Sequence, residues 1–263
     1  MVPEVGQLGI GGTFHGTFVD AHRKGVSDEE QLHGRVLLCC AVDSLFVSEH
    51  DTRDGAPTVV LVHGSLDRSA AFARVQRHLE DLRVLRFDRR GYGRSLAMGP
   101  AATFEVQVGD LLGVLDGRPA VVVGHSLGGV IALGLAERRP DLVRAVVAYE
   151  SPMSWMPWWP GSTAGSVVTS VGVRAEDAAE RFMRRMVGDE RWERLPQRTR
   201  DQRRAEGPAL GAELRSLRDP THPPYEAERL TVPVVAAHGT ASAAHHRRTA
   251  VELAERAPYS ELV

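Results

Sequence analysis

Between residues 58 and 150 the apolar positions switch repeatedly between short continuous runs and helical spacing. TVVLV (58–62), RVLRFD (83–88), AVVVG (120–124) and RAVVAYE (144–150) are brief and rich in β-branched residues. Strands covered on both faces have this pattern. Between them, AAFARVQRHLED (70–81) puts Phe72, Val75 and Leu79 near helical spacing. TFEVQVGDLLGVLD (103–116) and SLGGVIALGLAERRP (126–140) also read as helices, the second ended by Pro140. Upstream, RVLLCCAV (35–42) and SLFVSEHD (44–51) predict two early strands, separated from the next by a turn at Asp54-Gly55 and Pro57. Strand alternating with helix predicts an α/β fold with a mostly parallel sheet and helices on both faces. In such sheets ligands sit outside the carboxyl ends of the strands.

The alternation breaks after residue 151. SPMSWMPWWPG (151–161) is rich in Pro and Trp, and no convincing strand follows before 228. AEDAAERFMRRMVGDERWERL (175–195) predicts helix with Ala178, Phe182 and Met186 on one stripe, and more helix runs to Leu217. DPTHPPYE (219–226) is a proline-rich exit, after which VPVVAAHG (232–239) restores a strand and a helix spans roughly 246–257. The expected organisation is an extension over 1–34, a core formed by 35–151 and 229–263, and a helical insertion over 152–228. A last strand begins near SELV (260–263), so the C-terminal strand and helix of the sheet are expected to be incomplete.

Composition changes this picture little. The 263 residues are 43% hydrophobic and 25% charged, enough for a sizeable core. The net charge of -2 offers no positive field for nucleic acid. The arginines between Arg174 and Arg204 are interleaved with acids and predict a solvated surface. Cys39 and Cys40 are adjacent in an apolar run and read as buried hydrophobes. The N-terminus lacks the layout of a secretory signal, and no apolar run approaches ~18 residues. A cytoplasmic protein without a membrane partner is the expectation. No cluster of carboxylates, histidines or cysteines predicts a metal, and no phosphate loop is present.

Three stretches carry candidate chemistry. Gly124-His125-Ser126-Leu127-Gly128 has the G-x-S-x-G spacing between a predicted strand and a predicted helix. A serine at such a sharp turn needs tiny residues two before and two after it, which Gly124 and Gly128 supply. The strand at 58–62 runs directly into His63-Gly64-Ser65, and FDRRGYGRS follows the strand at 83–88 as a tight glycine loop. These motifs, in this order, resemble the α/β-hydrolase superfamily, in its capped esterase and cofactor-free haloperoxidase branch, from about residue 35 onward. The resemblance implies an eight-stranded sheet with the insertion as a cap. It makes Ser126 a nucleophile and the backbone N–H groups of Ser65 and Leu127 an oxyanion hole. It gives His63 and His125 supporting roles. No cofactor is needed for acyl transfer through a seryl ester.

The acid and base depart from that pattern. The family's acid commonly follows the strand after the cap, but no carboxylate lies between Gly239 and Val251, and Ser242 stands at that place. Glu150 ends the strand after the nucleophile's strand, where some α/β-hydrolases resemble it in carrying the acid. The family's histidine would follow the last strand, beyond Val263. His245 and His246 are the histidines nearest the C-terminus. Trp155, Trp158 and Trp159, with Met153 and Met156, are expected either to wall a pocket above Ser126 for an apolar acyl group or to pack cap onto core. Three readings stay open. The chain is a serine hydrolase of a small ester or related acyl compound. It is a perhydrolase or haloperoxidase-like acyl transferase. Or it is a non-catalytic binder or inactive remnant, able to self-associate through its incomplete sheet edge.

Overall fold

The computed structural model describes residues 44–50, 55–161, 163–167, 172–217 and 222–263. The expected extension over 1–34, the strand at 35–42 and Cys39 and Cys40 lie outside the described residues. Seven strands form one sheet in the order β1-β3-β2-β4-β5-β6-β7. They are β1 (Val47–His50), β2 (Thr58–Val62), β3 (Arg83–Phe87), β4 (Ala120–His125), β5 (Val143–Tyr149), β6 (Val234–Ala237) and β7 (Ser260–Leu262). Only β1 is antiparallel to its neighbour; β2 to β7 pair in parallel.

β2 buries every residue, as its continuous apolar run requires, whereas β4 and β5 alternate buried with less buried positions. Val60, Val62, Leu85, Val122 and Val146 join helices α2 (Phe104–Leu115), α3 (Leu127–Arg138) and α8 (Ala244–Arg256) in the main core. Val59, Leu61 and Val84 pack against Phe72 on the other side, with Val75, Leu79, Val121 and Val123 beside them. Helix α3 is buried along nearly its whole length, consistent with its near-absence of polar residues before Glu137.

Two predicted helices take a different form. The stretch 70–81 is a 3₁₀ turn (Ser69–Phe72), one turn of α1 (Ala73–Gln76) and further turns whose N–H groups reach back three residues. Apolar residues three apart serve either helix type, so Phe72 and Val75 face the sheet all the same. The stretch 175–195 divides into α4 (Ala175–Val187) and α5 (Asp189–Arg194) at Gly188, whose φ of 85° a side chain would disfavour. Met186 keeps helical spacing with Phe182 in the last turn of α4 but is 56% exposed, whereas Ala178, Ala179 and Phe182 are buried.

The helical insertion continues through α6 (Gln197–Ala205) and α7 (Gly207–Ser216). Its own core includes Leu66, from the loop after β2, and Tyr92, from the loop after β3, packed with Phe182 and Leu210. The insertion thus packs on loops that leave the carboxyl ends of the strands. Among the described residues no helix is long and apolar enough to cross a membrane.

Candidate active site

Ser126 lies between the last residue of β4 and the first of α3. Its φ of 53° and ψ of -125° are strained for a residue with a side chain, a cost on the order of 1–3 kcal/mol. Its N–H donates to the Tyr149 carbonyl at 2.8 Å, and its own carbonyl accepts from Gly129 at 2.9 Å. The flanking glycines are sterically required. A Cβ at Gly124 would meet backbone atoms of Gly128 and Gly129 at 2.4 Å, and one at Gly128 would meet the Val62 carbonyl oxygen at 2.1 Å. The loop after β2 passes equally close: a Cβ on Gly64 would stand 2.9 Å from Ser126 Cβ. Leu127 is the first residue of α3, so its N–H has no carbonyl one turn back to reach. Ser65 follows Gly64 directly. The fold therefore brings Ser126, Ser65 and Leu127 to one end of the central strands.

His63 is buried with both ring nitrogens engaged. Nδ1–H donates to the Gly64 carbonyl at 2.8 Å, and Nε2 accepts the Arg89 N–H at 2.8 Å. Burial, then the Arg89 charge, holds its pKa well below the ordinary imidazole value. This neutral ring braces the loop. His125 lies on the other side, its Nε2 3.9 Å from Glu150 Oε2 and its ring 5.8 Å from Tyr149. Burial lowers its pKa too, opposed by the charges of Asp67 and Glu150.

Glu150 directly follows β5 with a φ of 50°, and its N–H donates to the Ala237 carbonyl of β6 at 2.9 Å. The Ser242 hydroxyl donates to its carboxylate, and the same oxygen accepts the Gly239 N–H at 2.8 Å. Ser242, standing where the family's acid is expected, thus touches the carboxylate of the next strand. His245 and His246 join this group from the start of α8. Burial first, then the His245 charge, lowers the His246 pKa to about 4, and burial lowers that of His245. His246 Nδ1 is buried without a hydrogen-bond partner among the described residues.

Trp158 and Trp159 lie together, ring centroids 6.1 Å apart, while Trp155 takes other aromatic partners. Trp159 meets His245 and His246 edge-on, with ring centroids 4.8 and 5.7 Å apart. Trp158 lies under the Arg248 guanidinium at 4.3 Å. Trp155 meets Tyr225 edge-on at 5.4 Å and lines a cleft of about 230 Å³ with Met153, Met156 and Arg256. Pro224, between the lining residues Pro223 and Tyr225, accepts a hydrogen bond from Arg138 at 3.0 Å. Of the three, Trp159 is the one that contacts the histidines around Glu150. Sequence reasoning missed Arg89, Glu213, Gln107 and Tyr92, which pack into one buried cluster behind the His63-Gly64 turn. Arg89 stood in the quoted glycine loop, but nothing local marks its partners.

Comparison with known proteins agrees with this fold. The model of the alpha/beta hydrolase family matches residues 59–262. A pimeloyl-[acyl-carrier protein] methyl ester esterase from Chromobacterium violaceum is 34% identical over 148 residues, 55% of this chain and 56% of that protein. An sn-1-specific diacylglycerol lipase from Mus musculus is 39% identical over 124 residues, covering 44% and 38% of the two chains. The matched stretches thus span little more than half of these curated relatives at most. An enol-lactonase from Burkholderia xenovorans has a TM-score of 0.64 at 26% identity, over 83% of this chain and 86% of its own. A parallel sheet, a strained serine between β4 and α3, and a family match over most of the sequence lead to one assignment: this chain belongs to the alpha/beta hydrolase family.

Proposed function

We propose that the chain is a serine hydrolase of small esters or related acyl compounds, working through a seryl acyl-enzyme. The observation that carries this reading is the strained Ser126, packed between Gly124, Gly128 and Gly64. Strain of this kind exposes a hydroxyl at the head of a helix, where the dipole favours negative charge. Relatives described as an esterase and a lipase, matched over part of their length, support the same chemistry.

In this reading Ser126 Oγ attacks the substrate carbonyl. The N–H groups of Ser65 and Leu127 take the oxyanion, each worth about 3 kcal/mol in the transition state. The serine proton passes to a neutral imidazole oriented by Glu150. Burial keeps His125, His245 and His246 below the ordinary imidazole pKa, and Glu150 acts electrostatically on all three. The insertion from α4 to α7 serves as the cap, and Trp159 forms part of the acyl pocket. Steady-state ester hydrolysis by Ser126→Ala, His245→Gln and His246→Gln chains tests the scheme. Activity retained in Ser126→Ala would overturn it.

A second reading is a non-catalytic binder on the same fold. It is favoured by one observation: His63, in the loop packed against Ser126, spends both ring nitrogens on the Gly64 carbonyl and the Arg89 N–H. Ligand binding that survives Ser126→Ala, without turnover in the parent chain, would select it.

A further inference from the structure

Arg89 follows β3 and is 2% exposed. Its guanidinium reaches three separate parts of the chain. Nε donates to the His63 carbonyl at 2.9 Å, and one terminal nitrogen donates to the Gly64 carbonyl at 3.0 Å. The other terminal nitrogen donates to Glu213 Oε2 on α7 at 2.9 Å and to Gln107 on α2. Glu213 is itself 2% exposed. Tyr92 completes the cluster, its ring 4.9 Å from the guanidinium carbon and 5.6 Å from the His63 ring.

The Gly64 carbonyl and the Ser65 N–H are opposite ends of one planar peptide unit. Whatever fixes the carbonyl fixes the direction of that N–H. The Gly64 carbonyl accepts two hydrogen bonds, from Arg89 and from His63 Nδ1. Both also polarise the peptide and strengthen its donor. Arg89 is in turn held by a carboxylate from the helical insertion. We propose that Arg89 is a positioning residue that aims the Ser65 N–H at the developing oxyanion, and that Glu213 sets it, so that seating of the insertion governs this donor. The catalytic part of this inference rests on the serine-hydrolase reading; the coupling between insertion and loop does not.

Two readouts on the full chain separate these parts. The first is hydrogen exchange in peptides covering 63–66, against β4 and β5 as internal controls. The second is the rate of Ser126 phosphonylation by a fluorophosphonate, resolved into binding and maximal rate. Glu213→Gln keeps the shape but loses the charge. It is expected to raise exchange at 63–66 about tenfold and lower the maximal rate about tenfold, with binding and the control strands unchanged. Arg89→Lys keeps the charge but loses the planar fork, and is expected to lower the rate about a hundredfold. Loop exchange unaffected by Glu213→Gln would overturn the coupling, as would an equal rise in the control strands. If the parent chain takes no label while loop exchange still follows Glu213, the serine reading fails and the coupling stands. If it labels but neither variant changes the maximal rate, Arg89 does not aim the donor.

Discussion

The Ser242 hydroxyl donates a hydrogen bond to the carboxylate of Glu150, 92 residues away in sequence. Two neighbouring strand ends thus share one polar site: β6 presents a serine, and β5 presents the acid. The Gly239 N–H on the same oxygen fixes the hydroxyl, so Ser242 has one free proton and Glu150 receives it. If Glu150 orients the base, Glu150→Gln should reduce ester hydrolysis about a thousandfold, because an amide cannot stabilise an imidazolium. Ser242→Ala should cost about tenfold, the loss of one hydrogen bond to a charged group. Equal activity in Glu150→Gln and the parent, in a steady-state assay, would remove Glu150 from the mechanism.

The glycines at the elbow predict stability, not only activity. A Cβ at Gly128 would meet the Val62 carbonyl oxygen and carbon at 2.1 and 2.7 Å, both backbone atoms of a central strand. Neither can rotate away. Gly128→Ala is expected to cost about 3 kcal/mol or more in urea unfolding, by forcing α3 off the sheet. An alanine at Gly109, where nothing lies within 4 Å, should be neutral or slightly stabilising.

Burial lowers the pKa of His246 to about 4. The unfolded chain then binds the proton that the folded chain refuses. Stability from this group is complete above about pH 6.5, falls as pH drops from 6.5 towards 4, and changes no further below that. His63 and His125, also lowered by burial, act with the same sign. Unfolding free energy should therefore fall by about 2–3 kcal/mol across this window through His246 alone. Denaturant titrations at stepped pH measure it, and His246→Gln should flatten the slope. An unchanged slope in that variant would show that the ring is not buried neutral.

Much of the sheet was legible because its cues are local. TVVLV and the runs at 83–88, 120–124 and 144–150 each carry their burial in their own residues, and β2 has the predicted bounds. The elbow was legible for the same reason: a strand, a small-residue turn and a helix are contiguous. The partners of Arg89 were not, since Glu213 is 124 residues away and only the insertion's packing brings it close. The tryptophans are close in sequence but take different partners, Trp158 and Trp159 lying together with ring centroids 6.1 Å apart. Within five residues, Trp155 joins Tyr225, while Trp159 joins the histidines at the start of α8. Spacing alone also could not distinguish a long helix at 70–81 from 3₁₀ turns.

In the proposed reaction Ser126 is an activated nucleophile. This is measured by intact mass of the 263-residue chain after incubation with a fluorophosphonate, beside Ser126→Ala. One adduct per folded chain is expected, absent in the variant. A folded parent chain that gains no mass, or an adduct that persists in Ser126→Ala, would show that Ser126 is not activated.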